Sequence, residues 1–347
     1  MKIMAAPTPR TPDPMSAPPL RWGVMGPGWI AERFVHALHQ HTRQQVVAVG
    51  SRDTGRAQSF AHRLGLDRAH GSYTALAEDP QVDVVYVATP HPAHHACART
   101  ALLAGKHALV EKPLALNAAQ AGDLAALAGT AGVFCMEGMW TLLLPKFDAV
   151  RQLIADGALG TPQTVLADHG EHFGPEHRIM RADLAGGPLL DLGSYPVALA
   201  VEYLGDVETV YATGRPAPSG VNGQTAMVLS HTGGGQAVLH TTILGNTPTG
   251  AVIAGTEGTL TIPGPFFMPG PFALATHDGI RHWEYTESRT GHGALYFEAA
   301  HVAACIGEGR TESPLRPLAA AVNGMAVLDA VRQQIGTVYD ADAEPVG

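Results

Sequence analysis

The chain has 347 residues, more than one hydrophobic core usually spans, and a hydrophobic content of 46% that can fill two cores. A net charge of −9 leaves no basic face for a nucleic-acid backbone, and no apolar run reaches the roughly 20 residues of a membrane span, so nucleic-acid and membrane partners are set aside. Three scattered cysteines, Cys97, Cys135 and Cys305, read as free thiols of a reducing compartment, which predicts a cytoplasmic protein.

Residues 1–20 are proline-rich, lack the apolar stretch of a signal peptide and are expected to be a disordered leader, with Met1 and Met15 both open as translation starts. From there apolar strands alternate with helices. Strands are expected over 20–25, 46–50, 82–88, 107–111 and 132–137, and helices over 30–41, 56–64, 94–104 and 117–128. Continuous apolar strands of this kind specify a parallel sheet covered on both faces, which predicts an α/β Rossmann domain over 21–145. Beyond it a helix over 147–156 leads to strands over 163–173, 207–214, 225–231, 236–244, 251–262 and 272–285, with Gly- and Pro-rich turns between them. Helices over 294–308 and 317–335 close the chain. Residues 146–347 are therefore expected to form an α+β domain with a large, mostly antiparallel open sheet. Its helices are too few to cover both sheet faces, which predicts a homodimer or higher closed oligomer built through the bare face.

Gly26-Pro27-Gly28-Trp29-Ile30-Ala31 stands between the first strand and the first helix, where a dinucleotide fingerprint must stand. Glycines there let the backbone approach a pyrophosphate, which is then held by the positive end of the helix. Gly26, Gly28, Trp29 and Ile30 are the candidate contacts. At the end of the second strand, where an acid would hold a ribose 2′-hydroxyl, the chain has Ser51 and Arg52. A hydroxyl and a guanidinium both suit a 2′-phosphate, so NADP is the favoured cofactor, and the adjacent Asp53 keeps NAD open.

Three further stretches carry a family resemblance. They are Thr89-Pro90 with His91 and His94, the run Ala104-Gly105-Lys106-His107-Ala108-Leu109-Val110-Glu111-Lys112-Pro113, and the run from Ala185-Gly186-Gly187 to Asp191-Leu192-Gly193-Ser194-Tyr195. Together they resemble the Gfo/Idh/MocA oxidoreductases from residue 21 to about 340. Met136-Glu137-Gly138-Met139-Trp140-Thr141, followed by Leu144-Pro145, is most similar to the branch acting on trans-dihydrodiols and D-xylose, with Leu142 where that stretch commonly has Arg.

The resemblance implies hydride transfer between nicotinamide C4 and a carbon of a sugar, polyol or trans-dihydrodiol. It implies that Lys112 of the Glu111-Lys112-Pro113 motif reaches the nicotinamide ribose and the substrate, across a cis Lys112–Pro113 bond. It places Thr89, Pro90, His91, His94 and Glu111 beside the cofactor and Trp140 in the substrate pocket, with Phe173, Arg178 and Arg181 reaching it from the second domain. Asp191 and Tyr195 then sit one helical turn apart on one face. Tyr195 is the candidate general acid/base, its phenol favoured as phenolate by the Lys112 ammonium, and Asp191 orients the substrate or Lys112.

Two histidine clusters, His91, His94 and His95, and His169, His172 and His177, raise a metal site, which is set aside because alternation puts His169 and His172 on opposite strand faces. Two other functions stay open on this fold: a cofactor-sensing regulator, which could dispense with the lysine, and a lyase or hydrolase that recycles its nicotinamide.

Overall fold

The computed structural model describes residues 2–288 and 290–339. In chain order the elements are β1 (Lys2–Ala5), β2 (Arg21–Met25), α1 (Trp29–His41), β3 (Gln45–Gly50), α2 (Thr54–Leu64), β4 (Arg68–His70), α3 (Tyr73–Ala77), β5 (Val84–Val87), α4 (His94–Leu103), β6 (His107–Glu111), α5 (Ala118–Ala131) and β7 (Cys135–Gly138). There follow α6 (Pro145–Ala155), β8 (Pro162–Gly170), α7 (Pro188–Asp191), α8 (Ser194–Leu204), β9 (Val207–Pro216), β10 (Asn222–His231), β11 (Gln236–Thr242), β12 (Ala251–Gly255), β13 (Gly258–Ile262), β14 (Phe272–Thr276), β15 (Arg281–Tyr285), α9 (Tyr296–Gly307) and α10 (Leu318–Ile335).

The chain forms two compact units: Pro12–Leu143 with Gly291–Val322, and Leu144–Thr290 with 2–11 and 323–339. Residues 291–322, expected in the second domain, instead belong with the parallel sheet.

That sheet has six parallel strands in the order β4-β3-β2-β5-β6-β7. All four residues of β5 are buried, as both-face helix cover requires, which is why these strands read as unbroken apolar runs. The order reverses at β2, between β3 and β5, and ligands of such sheets bind outside the strand ends at this switch point. β4 and α3, of 3 and 5 residues, are too short to show a period and were not expected.

The second unit carries a nine-stranded sheet, β1-β15-β14-β13-β12-β8-β11-β10-β9. It is mixed, with the pairs β8/β11 and β1/β15 parallel and the others antiparallel. The expected strands over 251–262 and 272–285 are each a hairpin, because tight turns at 256–257 and 277–280 interrupt otherwise continuous apolar runs.

The leader is not disordered throughout, contrary to expectation. Its residues Lys2–Ala5 add a strand to the open hydrogen-bonding edge of β15, and Pro14–Ser16 form a 3-10 turn capped by the Asp13 side chain. Ala17 then packs against Ala300 and Ala303. Prolines bar regular helix here but not an ordered extended path. Among the described residues no single helix is long and apolar enough to cross a membrane.

Candidate active site

In the parallel-sheet unit the chain leaves β2 through Gly26, whose φ of 97° is left-handed and whose Cβ, if present, would stand 2.7 Å from the Ala88 carbonyl oxygen. Gly28 begins α1 with no side-chain cap, and a Cβ there would find only the Ala88 oxygen, at 3.9 Å. The first turn of α1 has no side-chain cap, and its N–H groups carry the partial positive charge of the helix start. This cradle fits the pyrophosphate of a dinucleotide.

Ser51 and Arg52 follow β3. Asp53, which kept NAD open, is the N-cap of α2 and accepts the Arg56 N–H at 3.0 Å, so its carboxylate is engaged in the helix start. Beside Arg52 lies a cavity of about 360 Å³, also lined by Ser72, Tyr73, Thr74, Cys97 and Thr100. Burial raises the Tyr73 pKa, against the opposing charge of the nearby Arg52. Burial also pushes the Cys97 thiol up to about 11, so it lines the cavity as an apolar group and not as a nucleophile.

His94, on the first turn of α4, places its Nδ1 2.8 Å from the Pro113 carbonyl oxygen and its Nε2 2.8 Å from that of Thr89, tying the loop after β5 to the loop after β6. The Lys112–Pro113 bond is cis, as expected. The Lys112 turn is held at both ends by buried carboxylates. Glu111 accepts the Tyr86 hydroxyl and, at 3.2 Å, the Lys112 N–H. Glu137 accepts the Leu114 N–H at 2.9 Å and is itself paired with Arg316 at 2.6 Å, both side chains 3% exposed. Removing either partner would strand the other's charge in the interior.

Glu298 of α9 lies next to Glu111, fully buried, with both carboxyl oxygens lacking a hydrogen-bond partner among the described residues. Burial, reinforced by the Glu111 charge, raises its pKa well above 4.5. Because the folded form binds this proton more tightly than the unfolded chain, stability is highest below about pH 4.5 with respect to this group and falls as pH rises towards its folded pKa. Glu298→Gln is therefore expected to flatten the fall of Tm with rising pH, raising Tm at pH 8 relative to the wild type more than at pH 5 in scanning calorimetry. Equal shifts at both values would contradict the assignment.

Trp140 is buried, 2% exposed, and stacks at 5.4 Å on His292, whose ring meets Trp29 edge-on at 4.9 Å. No sequence signal marks His292, which sits in an isolated Gly-His-Gly stretch without periodicity. His91 is buried, with its ring 5.6 Å from that of His94, and His95 pairs with Asp123 at 2.7 Å.

In the second unit Asp191 and Tyr195, expected one turn apart on one face of a single helix, instead fall on two helices. α7 ends at Asp191, where Leu192 N–H and Gly193 N–H both bond the Pro188 carbonyl, and α8 starts at Ser194. The chain bends by 42° across this break. A Cβ at Gly193 would lie 2.6 Å from the Leu189 oxygen, so the bend depends on glycine. Asp191 is buried and paired with Arg178 at 2.8 Å. Phe173 lies beyond the end of β8, stacks at 4.5 Å on His177 and packs on the Ile179 cluster. β8 also ends before His172, so the strand alternation invoked for His169 and His172 does not reach the latter. Arg181 pairs with Asp183 on the surface.

Tyr195 is 6% exposed and stacks on Phe267 at 4.7 Å; His169 stacks on the same ring at 4.5 Å and stands 5.5 Å from Tyr195. Neither Phe267 nor His169 was picked out from the sequence as a neighbour of Tyr195, since nothing local marks residues brought together by sheet and loop.

Two family models match the chain: the oxidoreductase family with NAD-binding Rossmann fold over residues 20–139, and the GFO/IDH/MocA C-terminal domain over residues 147–261. The chain belongs to the Gfo/Idh/MocA oxidoreductases. This family member is an NAD(P)-dependent oxidoreductase. It is 34% identical to the trans-1,2-dihydrobenzene-1,2-diol dehydrogenase of Xenopus tropicalis over 92% of this chain and 99% of that one, and 36% identical to the rabbit (Oryctolagus cuniculus) protein of the same name over 92% and 99%. Among solved structures it is similar to a 3-ketoreductase from Actinomadura kijaniata in complex with NADP and TDP-benzene, at 29% identity and a TM-score of 0.80 over 92% of this chain and 98% of that one. A levoglucosan dehydrogenase at 19% identity and a TM-score of 0.83, over 92% and 98%, shares the fold.

Proposed function

We propose that this oxidoreductase interconverts an alcohol and a carbonyl on a sugar, polyol or trans-dihydrodiol, with NADP as its preferred cofactor, in the cytoplasm. The observation that carries the substrate class is the buried Tyr195 phenol stacked on Phe267 with the His169 ring tilted beside it, a proton-bearing group in an aromatic cluster suited to a ring substrate. The names of the relatives, dehydrogenases of a trans-dihydrodiol and a ketoreductase, agree with it.

When bound, the nicotinamide supplies the hydride acceptor or donor. The chain's own residues handle the proton and the placement. In the oxidative direction Tyr195 Oη takes the proton of the substrate hydroxyl, and in reduction it returns it to the developing alkoxide. Lys112 favours the phenolate by its charge, and the Glu111 and Glu137 anchors keep the lysine's backbone fixed. Asp191, held by Arg178, orients the substrate through a hydroxyl. Trp140 contributes a further aromatic face, and Thr89, Pro90, His91 and His94 bear on the cofactor. NADP-linked oxidation of a panel of trans-dihydrodiols, pentoses and hexoses tests the proposal. Net turnover with at least one class supports it; reduced cofactor that is formed and reoxidised in place, with none released, favours a recycling lyase.

The assembly follows from the nine-stranded sheet. Tyr211, Val228, Val238 and Leu166 pair successively across β9, β10, β11 and β8, making one row on one face, and are 67, 40, 49 and 43% exposed. We propose that a second copy covers this row, as an exposed apolar patch of this kind marks an interface. Val238→Glu is expected to turn a dimer into a monomer by light scattering at micromolar concentration while leaving the fold intact; a wild-type monomer under those conditions would contradict it.

A further inference from the structure

We infer that Lys146 is a positioning residue for the substrate pocket, acting through the backbone of Phe267. The inference rests on the proposed place of Tyr195 and Phe267 in that pocket. Lys146 stands in the first turn of α6, directly after Pro145, and is 1% exposed. A cation there is disfavoured twice, by the positive end of the helix and by its removal from water, so packing alone would select an apolar residue of the same length. The ammonium instead donates to two carbonyl oxygens far along the chain, that of Phe266 at 2.6 Å and that of Met268. These two carbonyls flank a single residue, Phe267. The ammonium also lies 5.2 Å from the centre of the Phe147 ring.

Phe267 belongs to the stretch between β13 and β14, where no strand ladder fixes the backbone. Its segment is tied at one end by the Phe266 N–H, which donates to the Thr249 carbonyl at 2.9 Å, and at the other by the Gly270 N–H, which donates to Glu287 Oε1 at 2.9 Å. Lys146 holds the part between, which carries the ring. That ring is 4% exposed and stacks on Tyr195 at 4.7 Å and on His169 at 4.5 Å. Lysine, loop and both stacked partners all lie in the second unit. A buried ammonium fixed on main-chain oxygens is thus converted into a fixed aromatic face beside the proton-bearing phenol. Loss of the clamp strands two buried carbonyls and frees the ring to shift, and a shift of about 1 Å at a reacting site can cost about 10² in rate.

Lys146→Met keeps the length of the side chain and removes the charge. We expect kcat/KM for trans-1,2-dihydrobenzene-1,2-diol, or for D-xylose if the panel returns the sugar, to fall about 10- to 100-fold, while the Kd for NADP changes by less than about twofold. In the Phe267→Ala background the same substitution should add less than about twofold, because a lysine that acts through the ring has nothing left to position. In hydrogen exchange of the cofactor-free protein, read by mass spectrometry, the amides of 266–270 should lose protection in Lys146→Met while the strands of the parallel sheet keep theirs. Should Lys146→Met fail to fold, Lys146→Gln, whose amide still donates, replaces it in each measurement with a smaller loss expected. Multiplicative losses in the double variant, wild-type kcat/KM in Lys146→Met, or unchanged protection of 266–270 would each overturn the inference. Phe267→Ala with wild-type kcat/KM would instead overturn the reading of Phe267 as part of the pocket, on which it stands.

Discussion

Tyr195→Phe is expected to lower kcat by about 10²- to 10⁴-fold, the usual contribution of a general acid/base, while the affinity for NADP stays nearly unchanged. The packing supports a clean substitution: the ring keeps its stack on Phe267 and its neighbourhood with His169, and only the hydroxyl is lost. Lys112→Met is expected to lose a comparable amount and also to weaken cofactor binding, if Lys112 has the proposed role; the turn that carries it is fixed by Glu111 and Glu137. If the two residues act as a unit, the double variant is little worse than either single one. Additive losses in kcat would show that lysine and tyrosine work independently. Near-normal turnover of Tyr195→Phe, by stopped-flow or steady-state assay, would move the proton to another group.

Arg52→Ala should reduce kcat/KM with NADP by about 10- to 100-fold, the loss of one charge-assisted hydrogen bond of about 1.5 to 3 kcal/mol, and change the value with NAD by less than about threefold. The structure strengthens this expectation in one respect. Asp53, the residue that could have held a 2′-hydroxyl, spends its carboxylate on the start of α2, whereas Arg52 stands at a cavity with Ser72, Thr74 and Thr100. Steady-state kinetics with both cofactors check it, and a tenfold wild-type preference for NAD would reverse the assignment.

The parallel sheet was legible because its strands are buried on both faces and so announce themselves as apolar runs; 107–111 matches β6 to the residue. What escaped was short or tertiary. β4 and α3 hold too few residues for a period, and the two hairpins read as single strands because their turns interrupt apolar runs for only a few residues. The helix expected to carry both Asp191 and Tyr195 failed at Gly193, where a close backbone approach, invisible in spacing, bends the chain. The glycine turn, Arg52, Lys112 and Tyr195 could be proposed from the sequence because each belongs to a local motif. Glu298, Arg316, His292, Phe267 and Lys146 could not, since each acquires its neighbours only when distant segments meet. The segment 291–322 is the clearest case, as nothing in its composition separates it from the domain that precedes it.

In the proposed reaction hydride passes directly between a carbinol carbon and the cofactor, and the product is released. The most direct measurement uses the alcohol that the substrate panel returns, deuterated at the carbon to be oxidised, with unlabelled oxidised NADP, and mass spectrometry of the reduced cofactor recovered from solution. One deuterium is expected in the released NADPH for each carbonyl formed. Deuterium that appears in water, or a product formed while the cofactor returns unlabelled and oxidised, would contradict it.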